Sequence, residues 1–184
     1  MSREKIFCVA VLLALLAIPA AQATTLLRMD LDEMTRITGA VARVRAVASE
    51  TRFEEGEIWT LTTFELVEAL KGSAPRTITV RLIGGRWGHL ISTVDGVPRF
   101  QPGEEAYLFL EPRPNGEFTV TGWVQGAFRI RRDPETRAES VTQDTSAVST
   151  FDPATRQLRP GAARTMPLEE FRERVRAAAT RGVR

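Results

Sequence analysis

The stretch from Gly103 to Arg131 constrains the fold of this chain most strongly. It holds a run of apolar and aromatic residues, Glu105–Leu110, then the turn Pro112–Gly116, then a second run, Glu117–Trp123. The Asn-Gly pair in this turn is the strongest short signal for a β-hairpin. A third run, Ala127–Arg131, follows a glycine at which we expect a bulge or a tight bend. We therefore expect antiparallel strands here, with the earlier segments pairing against them.

Three earlier segments have the residue patterns of strands. Thr38–Ser49 alternates small apolar residues with arginines, and its valines favour a strand, although its alanines leave a helix open. Glu57–Leu70 is rich in β-branched and aromatic residues and is apolar on both faces, which is typical of a curled or covered strand. Thr77–Ile83 alternates cleanly between apolar and polar residues.

The last third of the chain changes in character. Residues 134–166 are polar and predict a long loop, with at most one weak hairpin at Val141–Leu158. Residues 167–180 then predict an amphipathic helix, because Pro167 suits a first helical turn and Leu168, Phe171 and Val175 form one apolar stripe. We expect this helix to dock on the domain, although docking on a partner is the alternative. A short helical turn is also possible at Asp30–Met34.

Several short strands followed by one helix predict a mainly β fold. We expect a small antiparallel barrel of the OB type, or a sandwich, at residues 24–133, then the polar loop and the C-terminal amphipathic helix.

The first 23 residues have the three parts of a secretory signal peptide. Arg3 and Lys5 give a positive start, Ile6–Ile18 is apolar, and Ala21-Gln22-Ala23 supplies the small residues that signal peptidase recognises. The apolar run would form a helix only about 20 Å long, too short for the roughly 30 Å core of a bilayer, which disfavours a membrane anchor. We expect cleavage after Ala23, no integral membrane segment afterwards, and a periplasmic or secreted location.

Cleavage would also remove Cys8, the only cysteine, so we expect a fold without disulfides. The whole chain has 25 lysine and arginine residues against 23 acidic ones, and cleavage would leave a net charge of +1. This near balance gives no strong field toward nucleic acid or anionic membranes, so we expect no nucleic-acid partner.

Four segments resemble a loose group of uncharacterised exported bacterial proteins with an OB-type β-barrel of the netrin-like or TIMP-like kind. They are Phe64–Gly72, Gly84-Gly85, Gly103–Leu110 and Gly126–Phe128. The resemblance covers about residues 35–131 and implies the fold, with a protease inhibitor or protease-accessory role as one functional possibility. TIMP-type inhibitors place an amino-terminal cysteine on the protease zinc, whereas the expected mature terminus here is Thr24. The resemblance therefore assigns no functional residue.

The sequence contains no catalytic, metal-binding or cofactor-binding constellation that we can recognise. His89 is the only histidine, so a zinc site would need carboxylates from distant segments. Ser92, Thr93 and Asp95 lie near His89, but no nucleophile-elbow motif surrounds a serine. We therefore expect neither an enzyme nor a bound cofactor.

The glycine-rich loop Gly84–His89 is the best candidate for a contact surface. Arg86, Trp87 and His89 could project from it toward a partner, since tryptophan and arginine are enriched at interface hot spots. The alternative is that Trp87 caps one end of the barrel. Phe171, on the apolar face of the last helix, is the fourth candidate. We expect an exported, non-enzymatic interaction module whose partner is a protein or a cell-envelope component.

Overall fold

The computed structural model describes residues 24–181, so the signal peptide predicted at residues 1–23 lies outside the described residues. The described chain is mainly β, with two helices, α1 (Leu31–Ile37) and α2 (Leu168–Arg181). Its strands are β1 (Thr25–Leu27), β2 (Ala40–Glu54), β3 (Glu57–Lys71), β4 (Thr77–Ile83), β5 (Gly85–Trp87), β6 (Leu90–Ser92), β7 (Glu105–Pro112), β8 (Phe118–Val120), β9 (Ala127–Arg132), β10 (Glu139–Asp144), β11 (Ser149–Asp152), β12 (Gln157–Pro160) and β13 (Ala163–Pro167).

Eight strands form the main sheet, in the order β13-β10-β9-β7-β2-β3-β4-β8. The strand β8 also pairs with β7, so the hydrogen-bonded neighbours run from β7 through β2, β3, β4 and β8 and return to β7. The pairing of β8 with β4 is parallel and joins Val80 to Phe118. Two smaller sheets complete the chain, one formed by β1, β11 and β12 and the other by β5 and β6.

The predicted mainly β fold with a C-terminal helix is confirmed. Each strand expected between Thr38 and Arg131 is present, and the last helix covers the predicted residues except Pro167, which ends β13. A single turn of 3-10 helix, Trp123–Gly126, lies where we expected a bulge or bend between β8 and β9.

The region predicted as a polar loop, residues 134–166, instead contains four strands. β10 pairs with β9 on one side and β13 on the other, while β11 pairs with β12 and, in parallel, with β1. Val141 is the only fully buried side chain of β10, and most other side chains of these strands are polar and at least partly exposed. Backbone pairing therefore defines these strands, and apolar alternation does not reveal them.

Both faces of the main sheet carry an apolar cluster, and β7 contributes to both because successive side chains point to opposite faces. On one face, Leu108 and Leu110 pack with Phe64 and Phe100 in a cluster that we call the inner cluster. On the other face, Tyr107 and Phe109 belong to a second cluster, which we call the helix-side cluster. The helices α1 and α2 cover that second cluster through the buried residues Leu31, Met34, Leu168, Phe171 and Val175.

A bulge in β3 changes which of its side chains face the helices. Val44 pairs with Leu66 and Arg43 pairs with Glu68, so Val67 has no partner in the β2–β3 register. An extra residue reverses the side-chain alternation beyond it. As a result Leu66 packs on the inner cluster, whereas the Glu68 carboxylate lies under α2.

The short helix α1 is capped at both ends by side chains. The Asp30 carboxylate accepts a hydrogen bond from the Glu33 backbone amide at 2.7 Å, which satisfies one open donor of the first turn. At the other end the Lys71 ammonium donates to the carbonyl oxygens of Thr35, Arg36 and Thr38, at 2.6, 3.1 and 2.6 Å. A cation here also complements the negative end of the helix dipole. Burial lowers the pKa of Lys71.

Candidate functional site

The structure removes Phe171 from the candidate contact surface. Its side chain is fully buried, and its ring lies 5.0 Å from that of Tyr107 and 4.9 Å from that of Phe128. The apolar stripe predicted on the last helix therefore packs against the same chain. A fully buried ring cannot contact a partner while α2 stays on the sheet.

A network of polar side chains fixes α2 to the sheet beside Phe171. The Tyr107 hydroxyl donates to the Glu68 carboxylate at 2.8 Å, and Arg172 donates to the same carboxylate at 2.5 Å and to the Tyr107 oxygen at 2.9 Å. Burial, together with the Glu68 carboxylate, raises the pKa of Tyr107 to about 12. The hydrogen bonds that Arg172 donates to Tyr107 and Glu68 raise the pKa of Arg172 above its ordinary value. This network has a structural role, because each group already has its partner.

The glycine-rich loop forms a β-hairpin of β5 and β6. Trp87 pairs with Leu90, which leaves Gly88 and His89 as a two-residue turn. Gly88 has a φ of 57°, and His89 is not among the residues with positive φ. This arrangement matches the type II′ turn, which requires glycine at its first central position and follows the natural twist of a hairpin.

The base of this hairpin is fixed by Arg99. Its guanidinium donates to the carbonyl oxygens of Ile83 and Gly84 and to the Thr60 hydroxyl oxygen, at 3.1, 2.9 and 3.0 Å. Thr60 also donates to the Gly84 carbonyl at 2.6 Å. A Cβ atom on Gly85 would lie 2.5 Å from the Thr60 hydroxyl oxygen, so the close approach of β5 to β3 requires glycine. Burial lowers the pKa of Arg99.

The outer part of the hairpin is apolar and exposed. Trp87 is 47% exposed, Leu90 43% and Ile91 66%. Trp87 and Leu90 are cross-strand neighbours on one face of the hairpin, and Ile91 pairs with Arg86 on the other. This exposure does not agree with the alternative in which Trp87 caps one end of the sheet.

Phe53 extends this exposed area onto the neighbouring β2–β3 hairpin. It is 47% exposed and lies on the same face of β2 as Thr51. Thr51 is close to β5, because a Cβ atom added to Gly85 would lie 3.0 Å from the Thr51 methyl group. We call Phe53, Trp87, Leu90 and Ile91, with the exposed Arg86 and His89, the hairpin surface. The sequence predicted Arg86, Trp87 and His89 for this role and missed the other three. Leu90 and Ile91 were missed because no alternation in their short segment distinguishes buried from exposed residues.

A second cluster of charged side chains lines a cleft between β7 and β9. We call it the arginine cleft, and it has a volume of about 620 Å³. Its charged residues are Arg43, Arg45, Arg129, Arg131, Arg132, Glu104, Glu105 and Glu139. Five arginines and three glutamates leave an excess of two positive charges. No pattern in the sequence pointed to this cleft, because its charged residues come from four strands, β2, β7, β9 and β10, and from the loop before β7.

Shared carboxylates connect most of these arginines. Glu105 accepts from Arg43 at 2.6 Å and from Arg45 at 2.6 Å, and Glu139 accepts from Arg43 at 3.2 Å and from Arg132 at 2.9 Å. Burial opposes the charged form of Glu105, but the hydrogen bonds from Arg45 and Arg43 outweigh it and hold the pKa of Glu105 below its ordinary value. The pKa of Glu139 is lowered in the same way.

His89 lies at the tip of the hairpin. It is exposed there, and within residues 24–181 no side chain forms a hydrogen bond with it. Among the described residues no three histidine, cysteine, aspartate or glutamate side chains lie close enough together to hold a metal ion.

Comparison of the chain with known protein families gives no match, and comparison with curated protein sequences gives none either. Neither α1 nor α2, the two helices of the described chain, has the length and apolar content that a membrane span requires.

Proposed function

We propose that the protein is an exported, non-enzymatic interaction module that binds another protein through the hairpin surface. The observation that carries this proposal is the contrast within one hairpin. Its base is held by Arg99 and Thr60, whereas its outer half presents Trp87, Leu90 and Ile91 to solvent. Large apolar side chains on a rigid support are typical of protein-binding sites.

The charge around the hairpin surface defines the chemistry of the partner. Glu55 and Glu57, at the tip of the β2–β3 hairpin beside Phe53, are exposed. Neither has an ion-pair partner among the described residues. The partner would therefore offer an apolar groove with lysine or arginine opposite Glu55 and Glu57 and a carboxylate opposite the exposed Arg86. Burying the apolar side chains would supply affinity, and charge complementarity would supply orientation and association rate.

For the fold we propose an OB-like barrel, with β2, β3, β4, β8 and β7 as its strands. The support is the circuit of hydrogen-bonded neighbours that leaves β7 and returns to it through β8. An OB fold is a five-stranded, partly open barrel, which fits a circuit closed by one short parallel pair, Val80 with Phe118.

The proposal of export is supported by the sequence of residues 1–23, with its basic start, apolar run and small residues before Thr24. The periplasm and the external medium are both compatible with this pattern. A cell-envelope protein is therefore the class of partner to test first.

A protease-inhibitor role is the alternative that the resemblance implies, but no observation on the described residues favours it. Residues Thr25–Leu27 pair in parallel with β11, and the Thr24 carbonyl accepts from the Ser149 amide at 3.0 Å. The expected mature terminus thus lies against the body of the protein, whereas TIMP-type inhibition would need it to reach a protease zinc.

The test uses photo-crosslinking at Ile91 and, as a matched control, at Leu158 on β12, which is 62% exposed and far from the hairpin in sequence. We expect one envelope protein to crosslink at position 91 but not at 158. The same purified protein should bind the native chain, and binding should weaken at least tenfold in a Trp87→Ser/Ile91→Ser variant, since each buried apolar side chain is worth about 1.5 kcal/mol or more. The Leu158→Ser variant should bind like the native protein.

Two results would overturn the proposal. One is equal crosslinking at positions 91 and 158, which would mean that the hairpin surface has no specific partner. The other is a native dimer in sedimentation that becomes a monomer in Trp87→Ser/Ile91→Ser, which would show that a second copy of the chain covers the surface.

A further inference from the structure

The main sheet opens between β7 and β9 at the arginine cleft. These strands pair only from Ala106 to Leu108 on β7 and from Ala127 to Arg129 on β9. Beyond Arg129, β9 continues to Arg132 with β10 as its partner. The residues just before β7 pair with β2 and not with β9. The Ala46 amide of β2 donates to the Glu104 carbonyl at 2.9 Å.

The arginine cleft occupies the wedge that these diverging segments leave. One wall is Gly103–Glu105 and the other is Ile130–Arg132. Along the second wall the edge of β9 faces the cleft, and no strand within residues 24–181 pairs with it on that side. Such an edge presents backbone donors and acceptors that can pair with an added strand.

Two arginines that line the cleft, Arg129 just before this wall and Arg131 on it, have unused capacity to bind an anion. The Nη1 atom of Arg129 is buried and has no hydrogen-bond partner among the described residues, and the nearest carboxylate oxygen, on Glu104, is 3.8 Å away. Arg131 is exposed, and no ion pair in the described part of the chain includes it. Residues two apart on a strand point to the same face, so the two guanidiniums lie on one side of β9.

We propose that the arginine cleft receives an extended acidic segment of another protein, with its backbone alongside β9 and its carboxylates on Arg129 and Arg131. Added strands bind through backbone hydrogen bonds and gain specificity from alternate side chains. Here Arg131 lies on one face of β9 and Arg132 on the other, so acidic side chains pointing either way meet a guanidinium. Gly103, on the facing wall, has no side chain to obstruct the segment.

This inference goes beyond the hairpin surface and does not depend on it. Arg45 lies in the cleft and Thr51 lies beside the hairpin, both on β2. The six residues that separate them correspond to about 20 Å along the strand. The two surfaces can therefore be tested separately.

The first experiment measures binding of a fluorescent, amino-terminally acetylated hexaglutamate peptide at low and at physiological salt. The test variant is Arg131→Gln, and the matched control is Arg113→Gln, an exposed arginine just beyond the other end of β7. We expect Arg131→Gln to weaken binding by about two- to fivefold, the value of one exposed ion pair, and Arg113→Gln to leave it unchanged. Hexaglutamine should not compete.

The second experiment tests the strand geometry by amide hydrogen exchange. Bound hexaglutamate should slow exchange at Ile130–Arg132 and leave the tip of the β5–β6 hairpin unchanged. Equal weakening by Arg131→Gln and Arg113→Gln would overturn the proposal, as would binding of hexaglutamine. Full competition by free glutarate, without slower exchange on β9, would show a site for small carboxylates and would also overturn it.

Discussion

Phe171 and Trp87 are both aromatic residues on elements added to the main sheet, yet the first is fully buried and the second is 47% exposed. On the helix side, each apolar group has a neighbour and the polar groups of Tyr107, Glu68 and Arg172 satisfy one another. On the hairpin side, the side-chain hydrogen bonds found in the described residues lie at the base, where Arg99 and Thr60 bind the Gly84 carbonyl. The difference is between a surface that completes the core and one whose large apolar side chains stay exposed on a fixed support.

The largest expected effect comes from truncating the two aromatic side chains to alanine. We expect Phe171→Ala to lower the free energy of unfolding by about 3–5 kcal/mol, because it leaves a cavity among three aromatic rings. Trp87→Ala, the matched truncation, should change it by less than about 0.5 kcal/mol. Denaturant unfolding followed by circular dichroism measures both. Similar losses in the two variants would mean that the hairpin belongs to the core.

The next effect concerns Glu68, which ties α2 to the sheet. Burial opposes its charged form, but hydrogen bonds from Tyr107 and Arg172 outweigh it and hold the pKa of Glu68 below its ordinary value of 4.5. Its stabilising contribution is therefore complete above pH 4.5 and is lost as the pH falls through the pKa of the folded state. Glu68→Gln should cost about 1–3 kcal/mol at pH 7.

The pH dependence distinguishes this role from simple packing. The difference in unfolding free energy between the native protein and Glu68→Gln should shrink between pH 7 and pH 3. Glu111→Gln, which changes an exposed carboxylate on β7, should show no such trend. A difference for Glu68→Gln that stays constant over this range would argue against the charged network.

The smallest effect concerns the base of the hairpin. Arg99→Met removes the hydrogen bonds to the Ile83 and Gly84 carbonyls, and we expect a global loss of about 1 kcal/mol. Hydrogen exchange within residues 85–92 should become faster while the helix side stays protected. Arg86→Met, on the exposed part of the hairpin, is the control and should change neither. Unchanged exchange in Arg99→Met would show that Arg99 does not fix the hairpin.

The main elements of the fold could be predicted because their side chains alternate or lie at helical spacing. Ile78, Val80 and Leu82 on β4 are buried as their pattern indicates, and Leu168, Phe171 and Val175 form the buried stripe of α2. The pattern did not predict which surface the apolar stripe of α2 packs against. A sequence shows that a face is apolar, but the surface it meets depends on the bulge at Val67 and on distant strands.

The strands from β10 to β13 could not be predicted, since their pairing rests on backbone hydrogen bonds between polar segments. Thr142 and Thr165, for example, face each other across β10 and β13 with their hydroxyl oxygens 2.9 Å apart. The candidate sites were predictable only in part. The glycines identified the loop that carries Trp87 but not its hairpin form, and the arginine cleft combines residues that are distant along the chain.

The Lys71 cap on α1 provides a natural chemical probe of local opening at the end of that helix. Beyond residue 23 the chain contains one lysine, Lys71, and its ammonium is bound to three carbonyl oxygens at the end of that helix. An amine-specific acylating reagent would need these bonds to break before it could react with the side chain. The rate of acylation at Lys71, read by mass spectrometry, would therefore measure how often the end of α1 separates from the sheet, with no label introduced by mutation.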